Sequence, residues 1–233
     1  YHILGNHLFA NTKALIFLGS YLGGANASRW LSKGLNILDE QLDEQFLADG
    51  GHFELSPMNH SILLWDVCDL INLSNSFTLP SLLIRRDKLK NILEQGLTWL
   101  SAMTHSDGSL SFFNDSALGI GPTYDDLCTY AEQLGLQIPA NTKIESDLVI
   151  NELKPSGYIS VKNQKDKFSL IVDVGKVGPD YQPGHAHADT LSFELCLFGE
   201  RVFVNSGTSM YGVSEERHRQ RGTEAHNTVL VDG

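Results

Sequence analysis

The chain has 233 residues, of which 42 % are hydrophobic, and a formal charge of −11 from 28 acidic and 17 basic side chains. That length can bury a real core, as one large or two small domains, and no apolar run approaches the length of a membrane span. The charge argues against a general nucleic-acid binder, whose phosphate affinity comes from Lys and Arg, but not against an anionic sugar held in a locally basic cleft.

From the amino end the pattern is helical. His7 to Leu22 is apolar nearly all round and predicts a buried helix, with Asn6 just before it as a candidate cap. Leu31, Leu35, Leu38, Leu42 and Phe46 repeat at the spacing of one helix face. After Gly50-Gly51 a polar loop, His52-Phe-Glu-Leu-Ser56, reaches Pro57, a residue suited to open a helix. Ile62 to Leu73 and Leu82 to Leu100 carry further stripes, parted by Leu79-Pro80-Ser81, and Tyr124, Leu127, Ala131 and Leu134 make a shorter one. Consecutive helices with short joints predict antiparallel hairpins, either a bundle or part of an α/α toroid.

Ile138-Pro-Ala-Asn-Thr142 reads as a linker, which sets two domains, 1–140 and 146–233. Beyond it period two takes over. Phe168, Leu170, Val172 and Val174 alternate with Ser169, Ile171 and Asp173, and Leu191, Phe193, Leu195 and Leu197 with Ser192, Glu194 and Cys196. Gly199-Glu200 is a hairpin turn into Arg201 to Val204, and Thr228 to Val231 reads as a last strand. Helices followed by antiparallel strands give an α+β class. Neither a phosphate-binding GxxxxGK[ST] loop nor a GxGxxG fingerprint occurs. Cys68, Cys128 and Cys196 are odd in number and widely spaced, so buried free thiols are expected. The chain starts at Tyr1 inside a helical pattern and stops at Gly233, so both ends are expected to be cuts through a larger protein.

Polar chemistry concentrates in a few short segments. His185 and His187 stand two apart, an arrangement that puts both rings on one face of an extended backbone, and His226 on a neighbouring strand could complete a metal site or a catalytic cleft. Arg217, Arg219 and Arg221, beside His218, form the one conspicuous basic cluster, read either as a substrate patch or as a solvated loop.

Taken in order, the segments Asn6-His7 with Asn11 and Lys13-Ala14-Leu15, Glu54-Leu-Ser-Pro-Met-Asn-His60, Asp107-Gly-Ser with Phe113-Asn-Asp-Ser116, Gly184-His-Ala-His-Ala-Asp189, Asn205-Ser-Gly-Thr208 and Thr223-Glu-Ala-His-Asn-Thr228 resemble the heparinase II/III-like polysaccharide lyases. The resemblance implies an α/α toroid followed by an antiparallel β-sandwich, with the site between them, and β-elimination on a polysaccharide containing uronic acid. It implies that Asn6, helped by His7, neutralises the substrate carboxylate, and that His185 is a second neutraliser or the base. Glu54, His60 and Arg221 are the candidate substrate contacts. His187, Asn205 and His226 fall on positions that hold one zinc ion in some members, with Asp189 or Glu194 as partner of a zinc-bound imidazole.

Two departures stand out. Asn59 occupies the place of a tyrosine assigned in the family as base, acid or both, and an amide can do neither. Asn205 occupies that of an aspartate ligand, and its neutral oxygen is a weaker donor to zinc. Tyr211 is the best local replacement for the missing phenol, ahead of Tyr124 and Tyr181. The expected partner is an anionic polysaccharide and the expected location the periplasm or cell exterior. The alternative is an altered family member that binds or processes a bacterial surface polysaccharide without elimination. A scaffold stabilised by zinc is the third reading.

Overall fold

The computed structural model describes residues 4–77, 79–138 and 148–231. The expected linker therefore lies, after Ile138, outside the described residues.

The helical half begins with α1 (Asn6–Tyr21) and α2 (Ala25–Gln45), packed along their lengths as a hairpin. The α2 stripe of Leu35, Leu38 and Leu42 is buried as its spacing requires. Helix α3 (Pro57–Ser76) runs through the centre and buries Leu63, Leu64, Val67, Leu70 and Ile71. Pro57 is its first residue and Ser56 its cap, the hydroxyl accepting the Asn59 N–H at 3.3 Å. Helix α5 (Arg86–Met103) packs against α3, and α6 (Tyr124–Gln133), opened by a Thr123/Asp126 capping box, closes on both.

Two helical expectations are corrected. α1 is not buried all round: Leu8, Phe9 and Ile16 face the core, but Leu18 and Leu22 stand 49 % and 51 % exposed, because α2 and α3 cover only one side of it. The stripe from Leu82 to Leu100 is broken into α4 (Pro80–Leu83) and α5. The chain turns at Ile84-Arg85, where the Arg85 guanidinium is held bidentate by Asp39 at 2.7 and 2.5 Å.

The second half is a five-stranded antiparallel meander, β1 (Val149–Leu153), β2 (Tyr158–Asn163), β3 (Phe168–Asp173), β4 (Phe193–Leu197) and β5 (Glu200–Phe203), in that order. Phe198 and Gly199, at φ 57° and 84°, make the tight turn into β5, one residue earlier than expected. The alternation is real, but its polar side faces inward. Ser169, Ile171, Asp173, Glu194 and Cys196 are buried, while Phe168, Leu170, Val172, Phe193, Leu195 and Leu197 form a partly exposed outer face. The inner residues meet the helical half through hydrogen bonds. Trp99 donates to Ser156 Oγ at 2.9 Å, Tyr158 to the Leu55 carbonyl at 3.0 Å, and Glu194 Oε2 lies 2.9 Å from His105 Nε2.

The histidine segments are loops, not strands. Residues 184–190 cross between β3 and β4, and His226 follows a single 3₁₀ turn, Thr223–Ala225, after the short α7 (Glu215–Arg221). The stretch expected as a last strand, 228–231, is irregular. All three cysteines are free; Cys68 and Cys196 are buried and Cys128 partly so.

Candidate active site

Asp115 is the hub. Its Oδ2 lies 2.9 Å from His185 Nδ1 and its Oδ1 2.9 Å from His187 Nε2, while both terminal nitrogens of Arg217 donate to the same carboxylate. This set of donors holds the Asp115 carboxyl well below the usual range, against the opposing effect of its own burial. Asn114, at φ 56°, turns the chain so that neighbouring groups also serve. Its amide donates to Leu55 O at 2.9 Å, and its carbonyl accepts the His187 N–H at 3.0 Å.

An ionised carboxylate only accepts, so both tautomers follow. His185 carries its proton on Nδ1 toward Asp115 and turns Nε2 to the cleft. His187 carries its own on Nε2, which leaves Nδ1 buried without a hydrogen-bond partner. The two rings do converge, as the spacing suggested, but through a shared carboxylate and not through strand alternation.

Tyr211 stands edge-on to His185, with ring centroids 6.3 Å apart, and the Arg217 guanidinium lies 5.2 Å over its ring. The side chain is 60 % exposed. Partial burial and the nearby Asp115 charge raise its phenol above the ordinary value, so it stays protonated.

Asn6 lies in the first turn of α1; the cap is Gly5, so the capping reading of Asn6 is set aside. Its Nδ2 donates to Asn59 Oδ1 at 3.3 Å, and the remaining amide atoms, Asn6 Oδ1 and Asn59 Nδ2, are buried without partners. Glu54 ties this amide pair to the histidines. Its Oε2 lies 3.7 Å from His185 Nε2, and its Oε1 is packed so closely on Gly5 that a Cβ there would approach to 2.1 Å. Gly5, at φ 64°, is thus required twice, by conformation and by space. Burial raises the Glu54 carboxyl; His185 and the Asn6 backbone amide pull it down, and Asp115 pushes it up.

Other expected contacts fall elsewhere. His60 is fully buried, with Nε2 3.0 Å from Gly96 O and its ring on Trp99, so it is a packing residue between α3 and α5 and not a substrate contact. Burial lowers its pKa to about 4. Glu54 is 3 % exposed and cannot meet substrate directly as placed. His7 is exposed on α1. Arg221 donates to the Ala186 and Pro183 carbonyls at 2.8 and 3.3 Å, fastening the histidine loop. The arginine cluster is not one basic patch: Arg217 is matched by Asp115, Arg219 by Glu216, and Arg221 by backbone. Tyr181 donates to Glu44 at 2.6 Å, and Tyr124 packs on the helical core.

For zinc the fit is partial. His187 and His226 have ring centroids 5.3 Å apart, and His187 Nδ1 and both His226 nitrogens lack partners, as expected of metal-binding imidazoles. Asn205 is engaged instead: Nδ2 donates to Ser192 Oγ at 3.4 Å and Oδ1 accepts the Asn227 N–H at 3.4 Å. Among the described residues no three His, Cys, Asp or Glu side chains are grouped to hold a metal. The expected partners of a zinc-bound imidazole are also occupied, Glu194 by His105 and Asp189 by the Asn114 N–H at 3.3 Å.

Sequence reasoning gave no role to Asp115, Asn114 or His52, and saw Arg217 only as part of a basic cluster and not as the partner of Asp115. The one signal was the pair Asn114-Asp115 within a segment that already carried the resemblance.

A cavity of about 790 Å³ lies beside this centre, bounded by Phe53, Leu55, Tyr181 and the turn at Lys154-Pro155, and no histidine among the described residues lines it.

The family profile described as Heparinase II/III N-terminus matches residues 1–132, and Heparinase II/III-like, C-terminal, matches residues 149–233. A heparin-sulfate lyase of Bacteroides stercoris is 23 % identical over 100 % of this chain and 36 % of its own length. A heparin-sulfate lyase of Pedobacter heparinus is 24 % identical over 98 % of this chain and 36 % of its own. The crystal structure of a heparinase III superposes with a TM-score of 0.78 at 21 % identity, covering all of this chain and 40 % of that one. The chain thus spans little more than a third of the curated relatives it matches.

Proposed function

The chain belongs to the heparinase II/III family, and from that premise we propose that it carries the catalytic centre of a polysaccharide lyase acting on an anionic polymer that contains uronic acid. The observation that carries this reading is the placement of His185 between Asp115 and Tyr211, with the Asn6–Asn59 amide pair across Glu54. In the same proposal the helices are an arc of an α/α toroid and the meander is one sheet of a β-sandwich, within a longer, exported protein.

β-Elimination removes the C5 proton, forms the C4–C5 double bond and expels O4. The C5 proton is weakly acidic until the neighbouring carboxylate is neutralised, so donors aimed at that group contribute most. The half-buried Asn6 amide supplies one, oriented by Asn59 Oδ1; Asn59 itself is 3 % exposed, so at the replaced tyrosine position it positions Asn6 and does not meet the substrate. His185 takes the proton on Nε2, its Nδ1–H held by Asp115. The Tyr211 phenol, kept protonated, gives its proton to O4. The phenolate then recovers a proton from the imidazolium in ring contact with it.

One zinc ion at His187 and His226 belongs to the same proposal; bound there, it would fix the two imidazoles, and no step of the elimination passes through it. Metal analysis of the purified protein, with and without His226→Ala, tests it.

The lyase reading predicts a rise in ultraviolet absorbance from unsaturated uronate when the intact protein meets heparan-type or alginate-type polymers. No rise with any uronic-acid polymer overturns it. Asn59 favours the second reading, an altered member that handles a surface polysaccharide without elimination. Asn59→Tyr separates the two: a large gain in elimination marks a decayed site, whereas no gain leaves the chemistry with His185 and Tyr211.

A further inference from the structure

Tyr181 is exposed and yet fixed. Its side chain is 59 % accessible, while its hydroxyl donates to Glu44 Oε1 at 2.6 Å, and Gln41 Nε2 occupies the other Glu44 oxygen at 2.9 Å. Phe53 backs the ring with centroids 6.1 Å apart, and His52 in turn meets Phe53 edge-on at 4.9 Å. The phenol ring borders the cavity of about 790 Å³, whose opposite wall is equally rigid. There the Ser156 backbone N–H and hydroxyl both donate to Asp49, at 2.9 and 2.7 Å. Gly157, at φ 78°, packs so closely on the end of β3 that a Cβ would fall 2.2 Å from Gly175 Cα, so glycine is required. A cavity built in this way is formed before any ligand arrives, which lowers the ordering cost of binding.

The lining says what fits. Leu47, Phe53, Leu55 and Leu153 make an apolar wall. The charged lining residues among those described are Glu44, Glu152, Lys154 and Lys176, two of each sign. Glu152 pairs with Lys154 at 3.4 Å, and both lysines are exposed at the rim. No buried cation is left to hold a sulfate or a second carboxylate, and either would lie beside Glu44. An apolar wall, a clamped phenol ring and no net charge suit the C–H face of an uncharged sugar ring, with its hydroxyls turned to water. The cavity adjoins the catalytic centre. Phe53 precedes Glu54, and Gln182 Nε2 comes within 2.9 Å of where a Gly5 Cβ would stand, at the head of the helix that carries Asn6. We propose that Tyr181 and this cavity form a subsite for an uncharged pyranose residue neighbouring the uronate, its apolar face stacked on the Tyr181 ring. The proposal rests on the lyase reading for the polymer and on the cavity alone for the sugar. A chain that alternates uronate with a neutral sugar fits it, whereas a polymer of uronate alone sets a carboxylate against Glu44.

The probe is cellobiose, a neutral disaccharide without uronate, added to the intact protein and followed by saturation-transfer NMR. The expected result is saturable transfer to its ring protons, with a Kd on the order of millimolar. Binding should weaken about tenfold in Tyr181→Ala and no more than about threefold in Tyr181→Phe, which keeps the ring. Should Tyr181→Ala not fold, Tyr181→Leu keeps the bulk and removes the aromatic face. No transfer in the wild type overturns the proposal, and that is also the result if another segment of the intact protein covers the cavity. Undiminished transfer without the ring places the sugar elsewhere and overturns it too. Equal losses in the Ala and Phe variants would mean that the hydroxyl is recognised and not the ring, which overturns the stacking. None of these outcomes involves elimination, so failure here is separate from failure of the lyase reading. Where elimination is measurable on a polymer alternating uronate with a neutral sugar, Tyr181→Ala should raise KM about tenfold and leave kcat within about twofold. A loss in kcat alone would put the phenol in the chemistry and overturn the subsite.

Discussion

Asp115 and His185 are joined twice across seventy residues of sequence: the side chain accepts the His185 Nδ1–H at 2.9 Å, and the Asp115 backbone N–H donates to the His185 carbonyl at 3.2 Å. One contact sets the tautomer and the other sets the position of the loop that carries it. Asp115→Asn is therefore expected to damage both. An amide offers one acceptor oxygen where four N–H groups now converge, and its own N–H₂ would oppose one of them. Loss of this buried anion should cost about 3–5 kcal/mol in chemical denaturation. Where elimination is measurable, kcat should fall by about 10³–10⁴. Because the Asp115 pKa is depressed in the fold, its stabilisation holds above the unfolded carboxyl range and is lost only in strong acid. A variant as stable and as active as the wild type would remove Asp115 from the centre.

Tyr211→Phe separates acid catalysis from packing. The ring keeps its contacts with His185 and Arg217, so KM and the melting temperature should barely change. Without the phenol, kcat should fall by about 10²–10⁴. The raised phenol pKa also means that wild-type activity should show no alkaline loss from this residue below about pH 10. A decline near neutrality that disappears in the variant would contradict this.

The amide pair should respond to charge more than to size. Asn59→Ala removes the acceptor that orients the Asn6 amide and is expected to lower kcat by about 10²-fold. Asn59→Asp sets a carboxylate against the substrate carboxylate and should do more harm than Ala. Steady-state kinetics on one uronic-acid polymer ranks the two, and the reverse order would place the substrate carboxylate elsewhere.

The helical half was legible because its cores repeat at one helix spacing, and Leu35, Leu38 and Leu42 are buried as that spacing requires. The break at Ile84 was not, since it depends on Arg85 meeting Asp39 from another helix. The positions of β3, β4 and β5 were legible; β1 and β2 were not singled out, the strand expected at 228–231 is irregular, and the inner face of the sheet was not legible. Period two marks two faces, but Glu194 and Ser169 can be buried because other segments satisfy them, His105 bonding to both and the Phe112, Asn205 and Ser106 N–H groups adding to it. In the site, the histidine pair signalled chemistry, whereas the group organising it did not: nothing near Asp115 in sequence reveals a partner seventy residues away. Asn6, Asn59 and Tyr211 came from the resemblance; the structure joins Asn6 to Asn59 and sets Tyr211 edge-on to His185.

Asp173, at the inner end of β3, gives a stability test that needs no substrate. It is 4 % exposed, and burial raises its pKa from 3.8 to about 6, although the Gly175 N–H partly offsets this from 2.8 Å. An acid whose pKa is raised by folding binds its proton more tightly in the native state than in the unfolded chain. Its contribution to stability is therefore full below the unfolded value, falls between about pH 4 and pH 6, and stays lost above. At about 1.36 kcal/mol per pH unit the loss is on the order of 3 kcal/mol. Asp173→Asn keeps an oxygen for the Gly175 N–H and has nothing to ionise, so the variant should be the more stable protein at pH 7, with the gap closing toward pH 4. Urea denaturation of both proteins across that range measures the difference directly. A gap that is flat with pH, or that widens in acid, would mean that Asp173 is charged in the fold and that the inner face of the sheet stabilises its anion.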